Sequence, residues 1–413
     1  VRMRTLRTQV CIAGGGPGGI MLGLLLARAG VEVVVLEKHA DFFRDFRGDT
    51  VHPSTLDIID ALGLRQSFDA IEHRPLDTLD AVVNGVRLHA IDFRTLRGTN
   101  RILTLMPQWD LLDLLADAAR REPSFTLLMG ADVTGVVRAG SRVSGVHAAT
   151  DAGPLRVDAA LVVAADGRGS TLREAVGVAP VVTGVGIDVL WFRLPEPAAP
   201  VPDTLAWLSG DGMLITIPRP GYFQCGLVVG KGSFGEIRER GIDAFRMRVA
   251  RAAPPIASEL GAVASFDDVK LLSVEINRLR RWWQPGLLFI GDAAHAMSPA
   301  FGVGINYAIQ DAVAAARLLA PALGGGPVAI DRACAALERR RVLPTRAMQR
   351  LQQVVHRAIG RPRPRILHNP PTRRERIVLR IAIPIARRLL PRLVGYGFRP
   401  ERIAPDERPT LAV

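Results

Sequence analysis

The sequence has little of several features that define common classes of protein. Its three cysteines lie far apart, so no CxxC pair could hold zinc and no even set could form a disulfide framework. No apolar run reaches 18 uninterrupted residues, and a strand and a glycine loop follow the first basic residues where a signal peptide would have its apolar core. We therefore expect a reduced, cytoplasmic protein without a transmembrane segment or a metal site.

Lysine is scarce as well, with three residues against a large excess of arginine, and the positive charge is unevenly distributed. Residues 361–413 contain thirteen arginines and four acidic residues, so this tail carries +9 of the net charge of +13. It offers only Tyr396 and Phe398 for stacking on bases, and we predict no nucleic-acid partner. Its amphipathic residues 377–393 fit peripheral contact with anionic lipid, packing on the protein's own core, or a homodimer contact.

The sequence does contain a glycine-rich loop between a short apolar strand, residues 10–13, and a helix. The loop has GxGxxG spacing and consists of Gly14, Gly15, Gly16, Pro17, Gly18 and Gly19. Gly14 permits the tight turn, Gly16 lets a pyrophosphate approach the backbone, and Gly19 lets the helix pack on the strand. A second apolar run ends at Glu37, where an acid can bind the adenosine ribose. NAD and FAD use the same loop, and a βαβ unit without a ligand remains open at this point.

Two later apolar runs, residues 161–165 and 286–290, predict further buried strands. The residues that follow them are Asp166, Gly167, Gly291 and Asp292. Ligands of an open α/β sheet bind beyond the carboxyl ends of its strands, so these two acids and Glu37 could reach one extended dinucleotide. The next segment leads into a helix N-terminus, whose N–H groups suit the pyrimidine edge of a reduced, anionic flavin. This segment includes Pro299, Gly302, Val303, Gly304, Ile305 and Asn306.

With these motifs the chain resembles the single-component FAD-dependent aromatic hydroxylases, the flavoprotein monooxygenases related to p-hydroxybenzoate hydroxylase. The motifs occur in that family's order and spacing, and the resemblance covers about residues 8–350. It implies an α/β fold with a Rossmann-like FAD-binding domain, a β-sheet substrate domain and a helical C-terminus. It also implies FAD as cofactor, NADPH or NADH as transient co-substrate, and O2. Oxygen added at flavin C4a would give a hydroperoxide that hydroxylates a small aromatic or polyketide-like molecule, without an assigned catalytic side chain.

The resemblance further implies roles for individual residues at the cofactor. Arg47 resembles the arginine at the FAD phosphates, Gln108 matches a position beside the cofactor, and Val133 matches a backbone contact near adenine. Asp292 matches the acid that binds the ribityl chain, and Asp166 belongs to a motif assigned to both FAD and reduced nicotinamide. The full predicted FAD set is Gly14, Gly16, Pro17, Gly18, Gly19, Glu37, Lys38, Arg47, Gln108, Val133, Asp166, Gly167, Gly291, Asp292, Pro299, Gly302, Val303, Gly304, Ile305 and Asn306.

Alternating apolar segments between residues 181 and 275 predict antiparallel strands of a second sheet. Four side chains of these strands are candidates for the substrate pocket, although an outward or core-packing role is equally open for them: Trp191, Arg193, Tyr222 and Gln224. The predicted division of the chain is an FAD-binding domain of residues 1–75, 101–180 and 276–350, a substrate-binding sheet of residues 76–100 and 181–275, and a basic helical segment of residues 351–413.

Three other functions share parts of this pattern. A flavin-dependent halogenase of this fold needs a WxWxIP segment, whereas residues 191–195 supply one tryptophan, and its catalytic lysine has no match between Lys38 and Lys231. A FAD-dependent reductase of a prenyl or other lipid chain would suit the basic tail. A redox-silent FAD-dependent cyclase would keep every FAD motif. We interpret His295 as a packing residue and Arg173 as a partner of local carboxylates or carbonyls.

Overall fold

The computed structural model describes residues 3–43, 50–83, 85–197, 204–209, 212–219, 221–359 and 387–403. The strands of this part of the chain are β1 Arg4–Ala13, β2 Val33–Glu37, β3 Thr50–Val51, β4 Arg74–Leu76, β5 Thr78–Val83, β6 Val86–Asp92, β7 Leu103–Leu105, β8 Phe125–Met129, β9 Asp132–Ala139, β10 Arg142–Thr150, β11 Gly153–Ala164, β12 Val181–Pro195, β13 Thr204–Ser209, β14 Gly212–Arg219, β15 Tyr222–Gly230, β16 Lys270–Arg278, β17 Trp283–Gln284 and β18 Leu287–Phe289. The helices are α1 Pro17–Arg28, α2 Pro53–Ala61, α3 Arg65–Asp69, α4 Gln108–Arg120, α5 Thr171–Ala175, α6 Phe234–Glu239, α7 Ile242–Ala252, α8 Gly304–Leu319, α9 Gly326–Ile359 and α10, residues 387–395.

A mainly parallel sheet forms the first layer, with the order β17-β18-β11-β1-β2-β8 and with β10 and β9 attached beside β11. Neighbours from β18 to β8 run parallel, and helices α1, α4 and α8 pack on one face. The predicted strand at residues 10–13 begins earlier, at Arg4, because its outer half pairs with β11 although its side chains are partly exposed. The apolar signal marked only the half that is buried on both faces.

A second sheet of seven strands, counted within the described residues, has the order β16-β12-β15-β14-β13-β5-β6. All neighbours are antiparallel except β13 and β5. Its outer face packs against α7, where the rings of Phe192 and Phe245 are 5.3 Å apart. Its inner face carries Trp191, Val228 and Ile276 in a separate apolar cluster. A small third sheet, β3-β7-β4, adjoins β5 along the chain.

The stretch Ala300–Arg357 is the one helical region in the described part of the chain with the length and composition to cross a membrane. Here it is two helices, α8 and α9, separated by a short 3-10 segment. Helix α8 is buried from Asn306 to Ala316 and packs against α1 and α9, as expected for a core helix. Most of the predicted amphipathic segment, residues 377–386, lies outside the described residues.

The described C-terminal residues return to this core through buried ion pairs. Asp311 of α8 accepts a hydrogen bond of 2.7 Å from Nε of Arg341, and both side chains are fully buried. Glu401 accepts hydrogen bonds from Arg340 at 2.7 Å and from Arg317 at 3.1 Å. Because buried charges are costly without partners, this network fixes residues 387–403 against α8 and α9.

Candidate active site

The carboxyl ends of four parallel strands lie side by side in the first sheet. Ala13 of β1 pairs with Leu36 on one side and with Ala164 on the other, and Ala164 pairs with Phe289 of β18. The residues at these strand ends therefore share one edge: Gly14, Glu37, Asp166 and Asp292. The three acids that the sequence singled out are brought together at the edge where an open α/β sheet binds its ligands.

The glycine loop between β1 and α1 leaves room for a ligand at one position and closes the others. A side chain at Gly14, whose φ is +103°, would overlap the carbonyl of Ala165, and one at Gly19 would overlap the carbonyl of Gly14. Around Gly16 nothing lies within 4 Å of a Cβ position. The first-turn N–H groups of α1 have no partners within the helix, so loop and helix form a cradle that fits a pyrophosphate.

Glu37 ends β2 with its carboxylate fixed by backbone. Its Oε2 accepts the N–H of Gly15 at 2.8 Å, and its Oε1 accepts the N–H of His39 at 3.1 Å. The N–H of Ala131 bonds the carbonyl of Glu37 at 2.8 Å, which brings the buried Val133 beside this strand end. A carboxylate held at this strand end is the type of acceptor to which a ribose hydroxyl donates.

Three predicted cofactor residues stand outside these contacts. Lys38 is exposed directly after Glu37, and Gln108 is the half-buried first residue of α4. Arg47 lies outside the described residues. Their roles at FAD stay predictions.

An arginine joins the two later acidic strand ends. Nε of Arg168 donates to Oδ2 of Asp292 at 3.1 Å, and its Nη2 donates to the carbonyl of Met297 at 3.0 Å. Asp166 accepts the N–H of Leu172 at 3.1 Å, and burial raises the pKa of its carboxyl group. The loop after β11 is thereby tied to the loop after β18.

Arg173 and His295 are structural residues, as the sequence indicated. The buried Arg173 donates to the carbonyls of Ala293, at 3.2 Å, and Arg168. His295 is buried, with Nε2 2.6 Å from the carboxylate of Asp311. These contacts hold the 291–298 loop in place, Arg173 through the carbonyl of Ala293 and His295 through Asp311.

The segment predicted at the flavin ring, residues 299–306, has an unusual backbone. Phe301 and Gly302 both have positive φ, +67° and +64°, and Gly302 approaches Thr50 so closely that a Cβ would overlap its hydroxyl. The hydroxyl of Thr50 donates to the carbonyl of Gly302 at 3.0 Å. For a non-glycine residue such as Phe301 this conformation is uncommon and must be held by its surroundings.

Asn306, in the first turn of α8, has an amide orientation set by α2. Its Oδ1 accepts hydrogen bonds from Ser54 at 2.5 Å and Thr55 at 3.0 Å. Its Nδ2 is buried and has no hydrogen-bond partner in the described part of the protein. This amide donor and the first-turn N–H groups of α8 fit the oxygen and nitrogen acceptors of a flavin pyrimidine ring.

Sequence reasoning missed the side chains that support this segment from residues 50–55. The available signal was Pro53, which begins α2 and is flanked by His52 and Ser54. A helix start of this kind does not indicate which distant residues its side chains will contact. Its contact with Gly302 and Asn306, some 250 positions away, is a property of the tertiary structure.

The four predicted pocket side chains fall on one face of the second sheet. Pairing of Arg193 with Gln224 places both on the face of Trp191 and Tyr222. Trp191 is 7% exposed, whereas Arg193 is exposed and stacks over the Tyr222 ring at 5.0 Å. The buried Gln224 accepts a hydrogen bond of 3.2 Å from Arg219, which sequence reasoning did not select. Their part in a pocket stays a prediction.

The same face of the second sheet is connected to the flavin-ring segment through a shared apolar cluster. Met213, Ile215 and Ile217 of β14 lie on it and are only partly buried. Ile217 and Phe301 pack against one shared apolar cluster, which joins the sheet to the 299–306 segment. A partly exposed apolar wall thus adjoins, through Ile217, the segment that fits a flavin.

Comparison with known proteins agrees with this geometry. Residues 7–350 match the family described as FAD binding domain. The chain is 36% identical to 6-methylpretetramide 4-monooxygenase of Streptomyces rimosus over 318 residues, and the aligned region covers 76% of this chain and 76% of the relative. It is 28% identical over 338 residues to protoasukamycin 4-monooxygenase of Streptomyces nodosus subsp. asukaensis, covering 79% of this chain and 83% of the relative.

Solved structures show the same fold. The anhydrotetracycline hydroxylase OxyS of Streptomyces rimosus superposes with a TM-score of 0.72 at 24% identity, over 94% of this chain and 76% of that one. The fold is therefore the predicted one, that of p-hydroxybenzoate hydroxylase and its relatives. Given the family match over most of its length, the protein belongs to the FAD-dependent aromatic hydroxylases, the flavoprotein monooxygenases that carry this FAD-binding domain.

Proposed function

We propose that this FAD-dependent monooxygenase hydroxylates an extended aromatic, polyketide-like small molecule held between the second sheet and the flavin-ring segment. The observation that carries this proposal is the partly exposed apolar wall of Met213, Ile215 and Ile217, of which Ile217 packs against the same apolar cluster as Phe301. Pockets for such ligands are lined mostly by apolar side chains with a few polar groups. The buried pair of Arg219 and Gln224 lies on the same face and supplies polar groups.

The two sheets would have different functions. The parallel sheet would serve as the FAD-binding domain, and the seven-stranded sheet as the substrate domain. Pyrophosphate would lie on the cradle at Gly16, the adenosine ribose at Glu37, and adenine near Val133. The ribityl chain would extend past Asp292, so the ring would reach the 299–306 segment.

The chemistry that bound FAD supplies is hydride acceptance from NAD(P)H, reaction with O2 and transfer of one oxygen atom to the substrate. The chain's own part is positioning, charge stabilisation and exclusion of water. Backbone N–H groups at the start of α8 would stabilise negative charge on the reduced ring, since helix N-termini favour anions. The apolar wall would keep water from the reacting oxygen and hold the substrate over the ring.

Arg168 donates a hydrogen bond to the carboxylate of Asp292. Binding of the ribityl chain at Asp292 therefore requires Arg168 to share or release this carboxylate. Since the pair is partly exposed, this exchange costs little. The proximity of Arg168 to both acidic loops also suits contact with the phosphates of NAD(P)H.

We also propose where the enzyme is located and what it contacts. We place it in the cytoplasm, which its three buried, unpaired cysteines support. Peripheral membrane contact and homodimer formation through the basic C-terminal residues are proposed from their charge and apolar pattern alone.

The test is substrate-dependent oxygen consumption. Purified protein loaded with FAD is given NADPH or NADH and a panel of phenols, quinone precursors and polycyclic aromatics, under 18O2. We expect accelerated NAD(P)H oxidation, matching oxygen uptake and a product heavier by one labelled oxygen. Conversion without oxygen uptake would refute hydroxylation: a product with two added hydrogens would indicate a reductase, and an isomer formed without NAD(P)H oxidation would indicate a cyclase.

A further inference from the structure

A buried histidine connects the flavin-ring segment to the C-terminal residues. Nε2 of His52 lies 3.1 Å from the carbonyl oxygen of Gly302, and Nδ1 lies 2.8 Å from the carbonyl oxygen of Val394. The side chain is fully buried. One imidazole ring thus spans two carbonyls that are about ninety residues apart in the chain, and it belongs to neither segment.

The contact with Gly302 decides where the next N–H group points. In a trans peptide the carbonyl and the following N–H point in opposite directions. Thr50 donates to the Gly302 carbonyl and Nε2 of His52 lies against it, so this carbonyl points to the side of α2 and the C-terminal residues. The N–H of Val303 is therefore directed to the opposite side.

Helix α8 itself also contacts the C-terminal residues. Nε2 of Gln310 donates to the carbonyl of Tyr396 at 3.0 Å, four residues along α8 from Asn306. Phe301 also packs against the apolar cluster that contains Val394 and Tyr396, so the C-terminal residues contact both the 299–306 segment and the helix that follows it. Glu401, bonded to Arg340 and Arg317, fixes the far end of the same C-terminal stretch.

The protonation of His52 limits how it can bond. Burial lowers its pKa to about 4, so the ring is neutral near pH 7 and carries one N–H. It donates to one of the two carbonyls, and the tautomer decides which. The ring fills the space between them in either case and keeps them at a fixed separation.

We propose that His52 is a positioning residue that couples residues 387–403 to the 299–306 segment, and through the Gly302 carbonyl sets the aim of the Val303 N–H toward the flavin. The inference rests on the proposed placement of the flavin ring at this segment. Residues of the C-terminal stretch become part of the cofactor site without touching the cofactor. A pyrimidine edge with well-aimed N–H donors stabilises the anionic reduced flavin, so the coupling affects the reduction potential.

The experiment compares His52→Phe and His52→Gln with His89→Phe, whose histidine is exposed on β6. In the full-length protein we measure FAD dissociation by flavin fluorescence, the midpoint potential of the bound flavin, and amide hydrogen exchange. We expect His52→Phe to weaken FAD binding by up to about tenfold, the equivalent of a lost buried hydrogen bond, and to make the potential more negative. His52→Gln keeps one donor and is expected to recover most of both values.

Hydrogen exchange separates this coupling from the proposed function. In His52→Phe, exchange should rise together in residues 299–306 and 387–403, with or without FAD, and should not change in His89→Phe. An unchanged potential and FAD affinity, or faster exchange in only one of the two segments, would overturn the proposal. Failure of the wild-type protein to bind FAD would instead refute the proposed function, and the joint rise in exchange would still test the link. If His52→Phe fails to fold, the same measurements on His52→Gln decide.

Discussion

The two ends of the cofactor site are built in different ways. At the adenosine end, the glycine loop and Glu37 come from one continuous stretch, and the bond from Gly15 to Glu37 spans 22 residues. At the flavin-ring end, the carbonyl of Gly302 contacts Thr50 and His52, which lie 252 and 250 residues away in the chain, and His52 in turn contacts Val394, 342 residues away. A local βαβ unit makes the first end, and three segments that are far apart in the chain make the second.

This difference predicts which property of the protein a substitution at each end will change. At the adenosine end, glycines are required because backbone atoms approach one another directly, so single substitutions should act on the fold. At the flavin-ring end, side chains hold a strained backbone from behind, so substitutions should act on cofactor geometry and on the attachment of the C-terminal residues. The following substitutions test this contrast, from the largest expected effect to the smallest.

Gly14→Ala should give the largest loss of stability. The added methyl overlaps the Ala165 carbonyl and demands a positive φ of an alanine, so we expect a cost of about 4 kcal/mol or more in the free energy of unfolding. Gly16→Ala is the matched control, because its methyl meets nothing and its φ is −72°. Urea unfolding without FAD should leave Gly16→Ala close to wild type.

The same pair separates folding from cofactor binding. The methyl of Gly16→Ala fills the cradle, so FAD affinity should fall by about tenfold or more, or ~1.4 kcal/mol. Fluorescence titration measures this loss. Wild-type affinity in Gly16→Ala, or wild-type stability in Gly14→Ala, would contradict the local description of this end.

Asp311→Asn should cost about 3 kcal/mol, because it leaves the buried Arg341 without its closest counter-charge. Burial alone would raise the pKa of Asp311, but His295 and Arg341 outweigh it and the pKa is lowered. A lowered pKa stabilises the fold at pH values above the ordinary aspartate pKa of about 3.9, and this contribution is lost as the pH falls below that value through the lowered pKa of Asp311.

Urea unfolding at several pH values checks that sign. The stability difference between wild type and Asp311→Asn should be greatest at neutral pH and should narrow as the pH is lowered through about 4. A difference that stays constant with pH would show that the charge of Asp311 does not hold the C-terminal network.

Ile217→Ala should affect catalysis more than folding. Removing part of the wall that joins the second sheet to Phe301 costs about 1–3 kcal/mol of substrate interaction and admits water. We expect a raised KM and more hydrogen peroxide per NAD(P)H oxidised, measured by oxygen electrode with and without catalase. Leu88→Ala, on an exposed position of β6, should leave both values unchanged. Equal coupling in the two variants would place the substrate elsewhere.

Arg168→Gln should have the smallest effect on stability, below about 1 kcal/mol, since its pair with Asp292 is partly exposed. FAD affinity should stay equal or rise a few-fold, because Asp292 no longer has to release an arginine. Thermal unfolding and FAD titration measure the two quantities. A large fall in FAD affinity would show that Arg168 itself binds the cofactor.

Sequence reasoning succeeded where a short pattern of apolar residues, glycines and an acid marks the end of a strand. GxGxxG followed by Glu37 predicted the loop, the helix and the strand-end acid, and apolar runs before Asp166 and Asp292 predicted that these acids share one sheet edge. Alternation correctly put Trp191 and Arg193 on one face of a strand. It could not say that Arg193 is exposed on that face, since exposure depends on what packs opposite.

The sequence by itself determined the parallel sheet, the dinucleotide loop and the family, because these follow from continuous apolar runs and from the spacing of glycines and acids within short stretches. Only the tertiary structure decided that His52 stands between Gly302 and Val394, and that Asp311 and Glu401 anchor the last described residues. Those contacts join segments whose separation along the chain carries no periodic signal. Their partners are fixed only when the sheets and helices have packed.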